Sequence, residues 1–276
     1  MAGALVVVGT PIGNLDDLSP RAARALADAD VIACEDTRVT RKLLTRAPSR
    51  ARLVAYHAHN EEEQTAKMVR AVAGGSRVAL VTDAGMPGLS DPGHRLVAAC
   101  VEAGLRIEVV PGPSAALAAL VVSGLPTARF SFEGFLPRTG AARRRRLEAI
   151  AREGKTAVVF EAPHRVEETL EAALQVLGDR RAALARELTK IHEEVLRGSL
   201  SELLEAVREN GVRGEVTLVI EGGPQEVATA DEETLIGRVR ELMRDGVPKK
   251  EAVARAAAEA RVPKRTVYQA AVDAGL

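Results

Sequence analysis

The sequence predicts an α/β fold, with two α/β domains of mostly parallel or mixed sheets and a small C-terminal helical domain. Three observations support this class. Short β-branched runs alternate with amphipathic helical stretches over most of the 276 residues. The runs are continuously apolar, which is typical of parallel strands that helices cover on both faces. Near the C-terminus only helical periodicity remains.

The first domain is expected over residues 1–115. Ser19 and Pro20 are typical of a helix N-cap and first helical position, and Asp91 and Pro92 repeat this pattern. We therefore expect Asp91 to cap a helix. The predicted strands of this domain are "ALVVVG", "VIACE", "RLVAYH", "RVALVT" and "RIEVVPG".

The second domain is expected over residues 116–226 and has a similar alternation. Its predicted strands are "RFSFEGF", "TAVVFEA", "RAALARE" and "EVTLVIEG", and the basic stretch "GAARRRRLEAIAREG" is among its helices. The segment "EGGPQEVATADEE" is predicted to link this domain to a helical appendage over residues 227–276. The appendage contains "KKEAVARAAAEARVPKRTVYQA", which is similar to half of a helix-turn-helix.

Composition excludes several classes of protein. A net charge of +0 means that any nucleic-acid contact must come from local basic patches. Aromatic residues make up 2% of the chain, which argues against stacking of single strands on an aromatic platform. No G-x-G-x-x-G and no zinc-spaced Cys/His cluster occurs, so we expect no Rossmann turn and no metal. The N-terminus and the apolar runs predict a cytoplasmic protein with no membrane contact.

Loops rich in Gly and Pro are expected to carry the chemistry. In parallel α/β sheets, ligands bind outside the carboxyl ends of the strands. Gly lets backbone approach a ligand closely, and Pro limits the entropy that is lost on binding. Asp83 stands where a carboxylate can accept hydrogen bonds from a ligand, and Ser114 falls near a helix start. The loops are "GTPIGN" (9–14), "CEDTR" (34–38), "DAGMPGLSDPG" (83–93), "PGPSA" (111–115) and "FEAPHR" (160–165).

These loops resemble those of the ribosomal RNA small subunit methyltransferase I family, which belongs to the tetrapyrrole-methylase-like, class III S-adenosylmethionine-dependent enzymes. The similarity extends over residues 4–222 and includes "VVVGTPIGNLDDLSPRA", "CEDTRVTRKLL" and "FEGFLPR". The resemblance implies a cofactor cleft between two α/β domains, a homodimer, and S-adenosylmethionine as the cofactor. It also implies 2′-O-methylation of a cytidine ribose in the decoding region of 16S rRNA, within the small ribosomal subunit.

The resemblance further implies which residues contact the cofactor. They come from the loops that follow strands and from the last strand of the second domain. These residues are Pro11, Gly13, Asp83, Ala84, Gly85, Ser114, Ala115, Ala162, Thr217 and Leu218.

Methyl transfer to a ribose hydroxyl benefits from a general base, because a protonated hydroxyl is a poor nucleophile. Glu35 is our first candidate, with Asp36 and His57 as further candidates among the loop residues. His59 and Glu161 are weaker alternatives. Asp36 also has a structural interpretation, because an acid before a helix is a favourable cap or dipole partner.

Basic side chains are expected to hold the RNA. One set follows "CED", a second starts the basic helix, a third lies in the appendage, and Arg165 lies in "FEAPHR". A charge run is as often a solvated helix face, so that interpretation stays open for residues 143–146. The sets are Arg38, Arg41 and Lys42; Arg143, Arg144, Arg145 and Arg146; and Lys249, Lys250, Lys264 and Arg265.

Two other functions remain open from the sequence. A class III methylase that acts on a tetrapyrrole or corrin precursor would share the fold. A non-catalytic nucleic-acid-binding regulator built around the helical appendage would bind duplexes in a salt-sensitive manner and would not bind the cofactor.

Overall fold

The computed structural model describes residues 3–223, 231–260 and 262–276, which form two compact units divided after Gly223. The first unit holds two five-stranded sheets with helices between the strands, so the predicted α/β class is confirmed. Both sheets lie in this one unit, and the domain boundary after residue 115 therefore stays a prediction. Most of the predicted linker, and the boundary after residue 226, lie outside the described residues.

Sheet 1 is built from the first predicted domain. Its strands are β1 (Ala4–Val8), β2 (Val31–Cys34), β3 (Arg52–Ala55), β4 (Arg77–Val81) and β5 (Ile107–Val110), and its helices are α1 (Pro20–Ala27), α2 (Thr37–Leu43), α3 (Glu61–Ala73) and α4 (His94–Glu102). All strand pairs are parallel, in the order β3-β2-β4-β1-β5. Helices α1 and α2 cover one face and α3 and α4 the other, which explains the continuously apolar strands.

Helix starts test the capping predictions. The Ser19 hydroxyl accepts the Ala22 N–H at 3.0 Å and Pro20 is the first helical residue, as predicted. The prediction for Asp91 is wrong, because α4 begins only at His94 and its N-cap is Gly93 at φ 134°. The Asp91 carboxylate caps no helix and is available for the site.

Sheet 2 is built from the second predicted domain. Its strands are β6 (Phe130–Phe135), β7 (Thr156–Glu161), β8 (Arg181–Arg186), β9 (Glu194–Ser199) and β10 (Val216–Ile220), and its helices are α5 (Ala115–Ser123), α6 (Gly140–Glu153), α7 (Val166–Leu177) and α8 (Leu200–Asn210). The order is β6-β7-β10-β8-β9. Only β6 and β7 pair in parallel, so this sheet is mixed.

Strand β9 was not predicted from the sequence. Its residues "EVLRGS" are mostly half-exposed, and it lies at the edge of sheet 2, where a strand needs no continuous apolar run. It forms a hairpin with β8, and residues 187–193 form the connecting loop. This loop reaches the first sheet, as the site shows.

The two sheets are joined through one shared apolar cluster. Helix α5 packs on the face of sheet 2 that carries Val158 and Val219, and Ile12 from the loop after β1 enters the same cluster. Beside it, the backbones of Gly9 and Gly112 lie in direct contact. A Cβ on Gly9 would lie 2.5 Å from the Gly112 nitrogen. These two glycines therefore let the loops after β1 and β5 pack without side chains between them.

The second compact unit contains three helices: α9 (Glu232–Arg244), α10 (Lys249–Ala260) and α11 (Lys264–Asp273). Their core contains Leu235, Val239, Val253 and Val267. The helical composition predicted for this region is confirmed for the described residues, while its helix-turn-helix role stays a prediction. Among the described residues, no helix combines the length and apolarity that crossing a bilayer requires.

We expect Gly9→Ala to lower the free energy of unfolding by about 1–3 kcal/mol, because a methyl group there overlaps the Gly112 backbone. Gly140→Ala is the matched control, since nothing lies within 4 Å of a Cβ at that position. Urea titrations of both variants and the wild type measure the effect. Equal unfolding midpoints for all three proteins would contradict the close backbone contact.

Candidate functional site

The carboxyl ends of β1 and β4 are joined by paired backbone. Thr10 donates its N–H to the Gly85 carbonyl at 2.9 Å and accepts the Gly85 N–H at 3.2 Å. The Thr10 hydroxyl also donates to the Thr82 carbonyl at 3.1 Å. Because β1 and β4 are adjacent parallel strands, their following loops emerge at one sheet edge. Two of the predicted loops, 9–14 and 83–93, therefore lie side by side.

The loop 111–115 joins them. Gly85 has φ 80°, and a Cβ there would lie 3.6 Å from the Pro113 carbonyl oxygen and from Ile12. Ser114 caps α5 by accepting the Leu117 N–H at 3.5 Å, and Ala115 is the first helical residue. Three loops that are far apart in the sequence thus meet at one place.

A cleft of about 300 Å³ lies beside these loops and also involves sheet 2. Lys190 reaches it from the β8–β9 loop, with its ammonium 2.9 Å from Glu187 and 3.0 Å from Glu215. Gly13 packs directly against Lys190. The lining residues are Thr10, Pro11, Ile12, Gly13, Leu15, Val39, Thr40, Lys42, Leu43, Thr82, Asp83, Ala84, Lys190 and Glu215.

Backbone strain is concentrated around this cleft. Among the described residues, three non-glycine residues have positive φ: Ser90 at 65°, Glu187 at 50° and Thr189 at 66°. Ser90 lies in the loop after β4, and the other two lie in the β8–β9 loop. Residues in this conformation cost free energy and occur preferentially at functional sites. The strain therefore supports the same location as the glycine-rich loops.

Carboxylates form the polar side of the site. The Thr82 hydroxyl donates to Glu35 at 2.9 Å, and Asp91 lies near the same hydroxyl. Burial raises the pKa of Asp91 to about 6, and the nearby Glu35 and Asp83 charges add to the effect. Burial likewise raises the pKa of Asp83, whose carboxylate accepts the Asp36 N–H at 3.1 Å.

The three predicted bases have different surroundings. Glu35 lies at the carboxyl end of β2, beside Thr82. Asp36 is a correction: it caps α2 and pairs with Arg38 at 2.6 Å, and this hydrogen-bonded ion pair lowers the pKa of Asp36 to about 2. His57 follows the edge strand β3 and does not line the cleft, although its Nδ1 has no partner among the described residues. A role for Glu35 stays a prediction.

The predicted cofactor residues divide into three groups: residues that line the cleft, residues in loops packed beside it, and three residues of the second predicted domain. Pro11, Gly13, Asp83 and Ala84 line the cleft, and Gly85, Ser114 and Ala115 lie in the loops packed beside it. Ala162 directly follows β7, and its N–H donates to the Glu161 carboxylate at 2.9 Å. Thr217 lies on the face of sheet 2 that packs against α5. Leu218 is a correction, because its side chain is buried in the core on the opposite face.

The basic helix α6 does not present all its arginines to solvent. Arg143 is a correction, because its side chain is 1% exposed and binds the Pro137 and Arg138 carbonyls and Glu168. Arg144 pairs with Glu148 and Arg146 with the buried Glu133. Arg145 is exposed, with no ion pair in the described part of the chain.

Arg165 is also a correction, because its guanidinium is held by the Leu136 carbonyl at 2.9 Å and by Glu161. The same contacts explain Glu161, which is buried and also accepts the Thr169 hydroxyl at 2.7 Å. Neither residue is free for RNA or for proton transfer.

The basic residues of α2 and of the appendage remain candidates for RNA contact. Arg41 and Lys42 are exposed, and Lys42 lines the cleft. Arg38 is exposed but paired with Asp36. In the second unit Lys250, Lys264 and Arg265 are exposed, while Lys249 contacts the Leu276 carbonyl and lies 5.8 Å from the Tyr268 ring.

Several polar residues at or beside the cleft are not indicated by the sequence patterns. Thr82 directly precedes the predicted Asp83, and its hydroxyl is the signal that could have identified it. Asp91 lies beside Thr82 and Glu35, but the Asp-Pro pair is typical of a helix cap and predicts a structural role instead. Lys190 and Glu215 come from sheet 2, and only the packing of the two sheets brings them here. In the described part of the chain, no three His, Cys, Asp or Glu side chains are placed to hold a metal ion.

Comparison with known proteins assigns the chain to a family. The family model "Tetrapyrrole (Corrin/Porphyrin) Methylases" matches residues 4–204. Ribosomal RNA small subunit methyltransferase I of Mycobacterium tuberculosis (strain H37Rv) is 45% identical over 276 residues, 99% of this chain and 95% of the relative. The protein of that name from Bacillus subtilis (strain 168) is 42% identical over 273 residues, 97% and 94% of the two chains. The chain belongs to the ribosomal RNA small subunit methyltransferase I family.

The fold agrees with this methyltransferase family. A crystal structure of uroporphyrin-III C-methyl transferase from Thermus thermophilus, complexed with S-adenyl homocysteine, matches with a TM-score of 0.56 at 24% identity. The match covers 79% of this chain and 97% of that chain. At this identity the likeness supports the fold alone. This likeness is consistent with the two five-stranded sheets of the first unit.

We expect Asp91→Asn to change how stability depends on pH. A carboxyl whose folded pKa is raised binds its proton more tightly in the folded state, so wild-type stability falls as pH rises from about 4 to 6. The variant lacks this loss. It should match the wild type near pH 4 and exceed it by about 1–2 kcal/mol at pH 7, after allowance for solvent screening.

Urea titrations between pH 4 and pH 8 measure this difference. Glu62→Gln, at an exposed carboxyl of α3, controls for the loss of one negative charge. A constant difference between Asp91→Asn and the wild type over this range would be incompatible with a raised Asp91 pKa.

Proposed function

We propose that this protein transfers a methyl group from S-adenosylmethionine to the ribose 2′ oxygen of a cytidine in the decoding region of 16S rRNA, within the small ribosomal subunit. The observation that carries the proposal is the meeting of loops 9–14, 83–93 and 111–115 at one cleft. The names of relatives at 42–45% identity support ribosomal RNA as the substrate class.

The chemistry of the cleft suits S-adenosylmethionine. This methyl donor carries a cationic sulfonium, an amino acid group and ribose hydroxyls. Asp83 offers carboxylate oxygens as acceptors for ammonium or hydroxyl groups, and the acids near it favour a cation. Gly85 carries no side chain, so its backbone is open to close approach by a ligand. The residues that would hold the cofactor are Asp83, Ala84, Gly85, Ser114 and Ala115.

When bound, the cofactor supplies an electrophilic methyl group and loses its positive charge as that group leaves. The protein then has two tasks. It must hold the acceptor oxygen in line with the methyl group, which accounts for up to ~7–11 kcal/mol in well-oriented reactions. It must also take the hydroxyl proton, and we assign this to Glu35, which keeps one carboxylate oxygen free of the Thr82 hydroxyl.

Substrate RNA is expected to lie along the basic side of the cleft. Lys42 and Arg41 on α2 and Arg145 on α6 are the exposed candidates in the first unit. Lys250, Lys264 and Arg265 add exposed positive charge in the second unit. Such contacts bind phosphates without sequence preference. The homodimer is also part of this proposal and rests on the family resemblance.

Methyl-labelled S-adenosylmethionine and small ribosomal subunits from cells that lack this activity provide the test. After incubation, the RNA is digested and the labelled nucleoside is identified by mass spectrometry. We expect label on a cytidine ribose oxygen. Label on a base would contradict the 2′-O assignment. Cofactor binding without RNA label would favour a tetrapyrrole or other small acceptor, and no cofactor binding would favour a nucleic-acid-binding regulator.

Glu35→Gln should lower kcat about 10²–10⁴-fold, because the amide cannot accept the hydroxyl proton. Its Kd for the cofactor should change little. Asp36→Asn is the matched control, since Asn also caps helices and Asp36 is already committed to Arg38. Single-turnover assays on ribosomal subunits measure both variants. A Glu35→Gln rate equal to that of the wild type would remove Glu35 from proton transfer.

A further inference from the structure

Strand β6 contains a bulge that changes the direction of one phenylalanine. Phe132 pairs with Val158, Gly134 with Val159 and Phe135 with Phe160, so Glu133 is the extra residue. Gly134 has φ 61°, a conformation that glycine adopts readily. In a regular strand, residues three apart point to opposite faces. The bulge instead places Phe132 and Phe135 on one face, together with Phe160.

These three rings form a braced cluster. The Phe132 and Phe160 centroids are 4.9 Å apart at 71°, and those of Phe135 and Phe160 are 5.8 Å apart at 61°. Both are edge-to-face arrangements, which fix ring orientation. The chain has 4 Phe in total, and three of them lie in this cluster. Phe135 is nevertheless 55% exposed, so one ring edge is packed while the rest faces solvent.

The cluster lies on the site side of sheet 2. Phe160 and Phe132 pack against the apolar cluster that contains Ile12, from the loop after β1. A Cβ on Gly134 would lie 3.1 Å from the Ser90 hydroxyl, in the strained loop that also carries Asp83 and Asp91. The bulge is anchored on its other side, where the buried Glu133 pairs with Arg146 at 2.6 Å. Phe135 is therefore held rigidly next to a cleft loop.

We propose that Phe135 is a stacking platform for a nucleobase bound at this site. A rigid, half-exposed ring beside a polar cleft offers a flat apolar surface, and every base has a matching π face. The inference rests on the proposed function, which brings two nucleobases to the site: the adenine of the cofactor and the base of the target nucleotide. It also changes the expectation from composition, because scarce aromatic residues can still form a local platform.

Phe135→Leu tests the proposal, with Phe135→Tyr as the conservative variant. Phe130→Leu is the matched control, because Phe130 is on the same strand, is 39% exposed and lies roughly 17 Å away along β6, outside the cluster. Calorimetry measures the Kd for S-adenosylhomocysteine, and steady-state methylation measures KM for ribosomal subunits. Urea titration confirms that each variant is folded.

We expect Phe135→Leu to raise one of these two constants by about 5- to 100-fold, with Phe135→Tyr and Phe130→Leu near the wild type. A raised Kd identifies the platform with the adenine of the cofactor. A raised KM at unchanged Kd identifies it with the RNA base. Unchanged Kd and KM in a folded Phe135→Leu protein would overturn the proposal. A wild-type protein that does not methylate RNA would instead refute the proposed function. In that case the Kd for S-adenosylhomocysteine would still test whether Phe135 stacks on the adenine of the cofactor.

Discussion

Contact between bare backbones at the carboxyl edge of sheet 1 is the constraint on which the site depends. Gly9 lies against Gly112, and Thr10 pairs with Gly85 through two backbone hydrogen bonds. Side chains at the glycine positions would separate the loops by at least the width of a methyl group. Because the loops touch, Ile12 can enter the apolar cluster of sheet 2, and the two sheets form one compact unit. The cleft is a consequence of this close packing.

Sheet 2 contributes more than support. Its β8–β9 loop brings Lys190 to the cleft, where Glu187 and Glu215 hold the ammonium. Lys190 and Glu215 therefore line the same cleft as Asp83 and Lys42 from the side of sheet 1. Burial raises the pKa of both Asp83 and Asp91, so it disfavours the simultaneous ionisation of these two carboxyls. A cationic ligand would relieve this repulsion, which links the electrostatics of the site to the cofactor that we propose.

The arginines of α6 show that residues which look equivalent in the sequence can have different environments in the fold. Four successive arginines in α6 look equivalent in the sequence, yet Arg143 is buried and carries structural hydrogen bonds while Arg145 is exposed. Helical periodicity sends neighbouring residues about 100° apart, so a charge run always contains residues that face the core. Arg165 and Glu161 likewise form an internal pair. The proposed RNA contacts therefore rest on the exposed members of each set.

The amino-acid sequence by itself determined the α/β class, the parallel first sheet, the cap of α1 and the loops that surround the cleft. These features depend on local chemistry: apolar runs, capping residues, and Gly and Pro at strand ends. Tertiary structure alone decided that Asp91 joins Glu35, that Lys190 reaches the cleft, that Leu218 faces the core, and that Phe132 and Phe135 share one face. These placements depend on positive φ angles, on the register of a strand in its sheet or on the packing of two sheets. These features bring together residues that are distant in the chain, so the periodicity of the sequence cannot predict them.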